Sequence, residues 1–74
     1  MNNDRRKMLA EAQDLISQAK DLIEQARDEE QESFDNMPEG FQQTDRGQQM
    51  EENISTMESA MDSLEQVSDE IGEL

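Results

Sequence analysis

Two stretches of this chain carry apolar residues in alternating steps of four and three. The first runs Met8, Ala12, Leu15, Ala19, Leu22, Ala26. That spacing keeps the side chains on one stripe of an α-helix. Ala12, Ala19 and Ala26 take one heptad position, and Met8, Leu15 and Leu22 the other seam position. Leu9, Ile16 and Ile23 lie beside the latter. A stripe this wide suits a helical bundle better than a minimal coiled-coil seam. The second stretch runs Met50, Ile54, Met57, Met61, Leu64, Ser68, Ile71, with Ala60, Val67 and Leu74 alongside it. Leu, Ile, Met and Ala dominate both stretches, which favours helix over strand.

A breaker separates them. Pro38 disfavours helix at Met37, and Gly40 supplies a permissive backbone. Asn3 or Asp4 is the expected N-cap of the first helix. Thr44 or Asp45 is expected to cap the second, with Asp45 and Gln48 spaced as in a capping box. The expectation is one all-α domain over residues 1–74: helix one about 4–35, a turn about 36–44, and helix two about 45–72. A short connection between long helices implies an antiparallel two-helix hairpin, coiled-coil-like with an alanine-lined seam. Heptad phase sets Ala12 against Ser68, Ala19 against Met61, and Leu15 against Leu64. Leu9, Ile16, Ile23, Val67 and Leu74 then remain as an apolar flank for self-association. Two hairpins forming a four-helix bundle would cover it.

Composition narrows the chemistry. The chain has 20 acids, 6 bases and a net charge of −14. Direct nucleic-acid binding is disfavoured, because it rests on Lys and Arg meeting phosphates. An anionic membrane surface is disfavoured for the same reason, and a basic protein surface is favoured. His and Cys are absent, so the commonest general base, the commonest metal ligand and any disulfide are missing. No metal or other cofactor is expected, and no enzyme, since a two-helix hairpin has no cleft in which to desolvate paired carboxylates. No apolar run is long enough to cross a bilayer. Arg5-Arg6-Lys7 is followed only by Met8-Leu9-Ala10 before Glu11, too short for a signal-peptide core. A cytoplasmic protein is expected, in a cell or in an infected host. In the heptad register the three bases would lie near Asp69, Glu70 and Glu73.

Three features bear on function. Glu51, Glu58, Asp62, Glu65, Asp69 and Glu73 form an acidic face on helix two, and Arg46 is the only base after residue 27. The plain reading is a solvated face. The sharper one is imitation of nucleic acid, since twenty carboxylates along about 45 Å approach the charge spacing of a duplex. Met50, Met57 and Met61 share one seam, as adaptable core or as a groove for a partner helix. Phe34, Met37 and Phe41 surround Pro38 at the tip. They either close the end of the core over Gly47 or project as a docking knob.

Residues 28–66 carry a further pattern: Glu29-Glu30-Gln31-Glu32, Phe34, Asn36-Met37-Pro38-Glu39, Gln42, Arg46-Gly47, then the Met50/Ile54/Met57/Met61/Leu64 rhythm. This stretch resembles small acidic helical-hairpin proteins of unassigned function encoded by phages and prophages. Relatives often carry Asn-Leu or Ser-Leu where this chain has Gly40-Phe41. The resemblance implies a helical hairpin and a phage or mobile-element origin, with no activity or functional residues to carry over. The expected function is a non-enzymatic acidic interaction protein that blocks or scaffolds another protein. A DNA-mimicking inhibitor and a structural helical subunit of a phage particle stand as alternatives.

Overall fold

Two side-chain caps fix where the long helices begin. In the computed structural model, which describes residues 1–74, α1 spans Asn3–Asp35, α2 spans Glu39–Gln42 and α3 spans Asp45–Gly72. Asn2, with extended backbone, accepts a 2.9 Å hydrogen bond from the Arg5 N–H. The cap is therefore one residue earlier than Asn3. That leaves Asp4 in the first turn, where its charge faces the positive end of the helix dipole. Thr44 caps α3 by accepting from the Gly47 N–H. Asp45 is thus the first helical residue, and the expected Asp45–Gln48 capping box does not form. The Gln48 N–H instead bonds the Thr44 carbonyl at 2.9 Å.

The connection is more ordered than a plain turn. Pro38 starts the single-turn α2, and its carbonyl accepts from the Phe41 and Gln42 N–H groups at 2.8 and 3.2 Å. The Gln42 amide then reaches back, donating to the carbonyls of Phe34 (3.0 Å) and Met37 (3.1 Å). One side chain thereby ties the Phe34 carbonyl, which also accepts from the Met37 N–H, to the Met37 carbonyl just beyond the end of α1. Gly47 makes this possible. A Cβ there would overlap the Gln42 carbonyl oxygen and lie 2.5 Å from its carbonyl carbon. Gln42 backbone, not a phenylalanine ring, occupies the space that Gly47 frees. Gly40 is used differently from expectation. Its φ is not positive and a Cβ there would meet nothing within 4 Å.

The long helices lie side by side and run in opposite directions. Gln13 Nε2 donates to the Ser68 carbonyl (2.9 Å), Lys20 pairs with Glu65 (3.1 Å), Arg27 with Glu58 (3.4 Å), and Asn53 donates to Glu30 (3.0 Å). The molecule measures 58 × 15 × 12 Å.

On α3 the facing residues are those of the heptad reading. Met50 and Ile54 are buried, and Met57, Met61, Leu64, Ser68 and Ile71 are half-buried. On α1 the heptad reading is corrected. Leu9, Ile16 and Ile23 are half-buried beside Ala12 and Ala19, whereas Met8, Leu15 and Leu22 are 62%, 58% and 67% exposed and Ala26 is exposed too. The wide stripe holds two interleaved rhythms, and the helix is rolled to use 9-12-16-19-23. The roll carries Gln13, Lys20 and Arg27 to the edge of α3, where their polar ends find partners. The expected Ala12–Ser68 layer becomes a Gln13–Ser68 hydrogen bond.

Candidate interaction surfaces

The roll of α1 divides the long sides of the helix pair into two unlike surfaces. One junction between the helices is polar, lined by Ile16, Ser17, Lys20, Glu65, Ser68 and Asp69. The opposite junction is apolar. Met8, Leu15 and Leu22 repeat every seven residues along α1, and Ala60, Val67 and Leu74 do so along α3. The two rows meet at the open end, where Met1, Arg5, Met8, Leu9 and Leu74 line one depression. Val67 is 42% and Leu74 60% exposed, so this junction lacks the cover that Ile16 and Ile23 have. Near the tip the same side opens into a shallow depression lined by Ala26, Glu30, Asn53, Thr56 and Met57. On α3 the heptad position just outward of the apolar row holds Thr56, Ser63 and Glu70, so the rim is neutral except at Glu70.

The acidic residues Glu51, Glu58, Asp62, Glu65, Asp69 and Glu73 are all exposed. They step along the other side of α3, beyond the polar junction. Glu58 and Glu65 are partly neutralised by Arg27 and Lys20, whereas Glu51, Asp62, Asp69 and Glu73 make no ion pair. Arg27 is the hub, reaching Asp28 (2.8 Å), Glu58 (3.4 Å) and Glu24 (3.9 Å). Its pKa is pushed up, first by the hydrogen bond to Asp28. Partial desolvation opposes this, and the charges of Asp28, Glu58 and Glu24 reinforce it. Lys20 and Arg27 were missed as seam residues in the sequence. The signal was present: they are seven apart on α1, as are Glu58 and Glu65 on α3. The carboxylates are dispersed, with no group of three converging as a cation site would need.

The tip residues separate. Phe34 and Met37 are half-buried, while Phe41 is 60% exposed beside Met37, Pro38, Arg46 and Met50. The self-association flank separates too. Val67 and Leu74 face solvent, but Leu9, Ile16 and Ile23 face α3. The outward apolar row of α1 is instead Met8, Leu15 and Leu22. Arg5, Arg6 and Lys7 form no ion pair with Asp69, Glu70 or Glu73, and the Arg6 guanidinium donates to the Met1 carbonyl at 3.3 Å. Arg5 instead lines the open-end depression beside Leu74.

No helix is long and apolar enough to cross a membrane. Comparison of the chain with family models, curated proteins and solved structures returns no match.

Proposed function

We propose that this chain is a non-enzymatic helical hairpin that acts by binding another protein, blocking or scaffolding it. On this reading its apolar side is completed by further helices into a four-helix bundle, and its acidic side faces a basic surface of the target. The target-binding part of the reading rests on Glu51, Asp62, Asp69 and Glu73, exposed and in no ion pair, and the bundle part on the exposed apolar side of a chain with almost no core of its own. Only Gly47, Met50 and Ile54 are buried. Fully burying a large aliphatic side chain is worth about 1.5–3 kcal/mol. Met8, Leu15, Leu22, Val67 and Leu74 are each about half exposed or more. Covering what remains of all five gains about 4–9 kcal/mol per chain. A chain of this size is marginal without such help. The resemblance of residues 28–66 supports a phage or mobile-element origin.

The test is affinity capture from a bacterial lysate with the intact chain and two variants. One variant neutralises Glu51, Asp62, Asp69 and Glu73 as Gln or Asn, and the other is Phe41→Ser. A specific protein held by the intact chain, released by salt and lost on neutralisation, supports the acidic side as the binding surface. Competition by duplex DNA identifies that protein's site as a nucleic-acid groove. Loss with Phe41→Ser moves the binding surface to the tip. Capture indifferent to both variants and to salt sinks the proposal.

A further inference from the structure

We infer that the apolar side is covered by a second copy of this chain, packed head to tail about a two-fold axis near Leu15 and Val67. The inference rests on the bundle reading above and names the occupant. Three observations point to a second copy. First, the need is permanent. With so few buried residues the chain wants its cover whenever it is folded, and only another copy is present wherever the chain is made.

Second, the side is self-complementary under this symmetry, which places the same patch on both partners. The rows are centred on Leu15 and Val67. Turning one copy over brings Met8 level with the second copy's Leu22, and Leu74 level with the second copy's Ala60. The exposed apolar side chains around the open-end depression, Met1, Met8 and Leu74, then lie over Ala26, Thr56 and Met57 of the depression near the tip.

Third, the charges match. Arg5 lies in the open-end depression and pairs with no carboxylate of its own chain. Glu30 lines the depression near the tip. Head-to-tail packing sets the Arg5 helix position about 7–8 Å along the axis from the second copy's Glu30, within reach of an arginine. Symmetry makes this contact twice. The acidic side of α3 stays outside, and the two carboxylates that flank the rows, Glu11 and Glu70, lie at the rim of the interface.

The experiment is analytical ultracentrifugation of the full chain, combined with disulfide trapping, which is clean because the chain has no cysteine. A dimer at micromolar concentration is expected. Leu15→Cys should form a covalent homodimer under mild oxidation. Leu15→Glu should weaken the dimer at least roughly 100-fold by placing a charge in the interface. Arg5→Glu should weaken it about 10-fold through its two symmetric contacts, and adding Glu30→Arg to the same chain should restore it. Circular dichroism of each variant confirms helix content, and the restoring pair guards against a merely misfolded single variant. A monomer at every concentration overturns the proposal, even if that monomer still captures a target. So does a dimer in which Leu15→Cys crosslinks only to Val67→Cys, since that requires the parallel arrangement. A head-to-tail dimer that captures no target supports this inference while sinking the function proposed above.

Discussion

Replacing Gly47 with alanine separates two physical effects of opposite sign. Gly47 sits in the first turn of α3, and helix propensity alone predicts that alanine there stabilises by up to about 1 kcal/mol. The tip geometry predicts the reverse. The added Cβ would overlap the backbone of Gln42, 2.5 Å from its carbonyl carbon and 2.7 Å from its Cα. Backbone cannot swing aside as a flexible side chain does, so α2 must lift off the start of α3. Lifting it withdraws the Gln42 amide from the Phe34 and Met37 carbonyls and disturbs the Thr44 cap. Two hydrogen bonds at about 1 kcal/mol each and part of a cap worth about 1 kcal/mol are at risk. Net of the propensity gain, we expect a loss of about 1–3 kcal/mol. For a chain of this size that lowers Tm by roughly 5–20 °C.

The assay is thermal and urea unfolding followed by circular dichroism, at one fixed protein concentration so that association does not shift the midpoint. Gly40→Ala is the matched control. Its φ is not positive and nothing lies within 4 Å, so it should be neutral or stabilising by about 0.4–1 kcal/mol. Equal stabilisation by both substitutions would refute the account of the tip.

The remaining predictions test the packing and the charges. Ile16→Ala should cost about 1–3 kcal/mol at every protein concentration, because Ile16 faces α3; Leu15→Ala should cost stability only where the dimer is populated, and a concentration-independent loss for both would return Leu15 to the seam. Raising NaCl from 10 to 500 mM should raise Tm, because screening relieves repulsion among 20 acids, of which only Glu24, Asp28, Glu58 and Glu65 are in ion pairs; a fall would show that the ion pairs outweigh the repulsion. The Arg27 pKa is raised, so its contribution is complete below the ordinary arginine value and is lost only as pH rises through the folded one. The Arg27→Gln loss in Tm should therefore be the same at pH 7 and pH 9, and a loss that shrinks by pH 9 would contradict the pairing.

Much of the fold was legible in the sequence, and the part that was not has one cause. Apolar spacing located both long helices, and Thr44 marked the start of the second. Pro38 marked the break, though the one-turn helix after it rests on Gln42, whose role appears only once Gly47 is seen beneath it. The α3 face was readable because the rhythm from Met50 runs the length of the helix, whereas the alternative through Ala60, Val67 and Leu74 covers only its second half. The α1 face was ambiguous because Met8/Leu15/Leu22 and Leu9/Ile16/Ile23 share the same alanines. Apolar counting weighs those two sets equally. What distinguishes them is polar: only one roll brings Lys20 to Glu65 and Arg27 to Glu58. The surfaces inherit the error, which is why the flank expected at Leu9, Ile16 and Ile23 lies at Met8, Leu15 and Leu22, while Val67 and Leu74 stay outward.

The same two ion pairs connect the fold to the proposed function. Each is exposed enough to be worth little by itself, in the range of about 0–1 kcal/mol. Their effect is to choose between two rolls of α1 that bury similar apolar residues, and a small difference suffices for that. The choice has a larger consequence. It turns Met8, Leu15 and Leu22 away from α3 and onto the side where Val67 and Leu74 already stand, concentrating exposed apolar surface on one side. It also sets Glu58 and Glu65 against α1 and leaves Glu51, Asp62, Asp69 and Glu73 unpaired on the other side. These sides respond to salt with opposite signs. Screening strengthens association of two chains that each carry −14, and weakens capture of a basic target by the acidic face. Reversing both charges of each pair, with Lys20→Glu and Arg27→Glu set against Glu65→Lys and Glu58→Arg, should keep the roll and hence the apolar side. Removing the bases alone should let the two rolls compete.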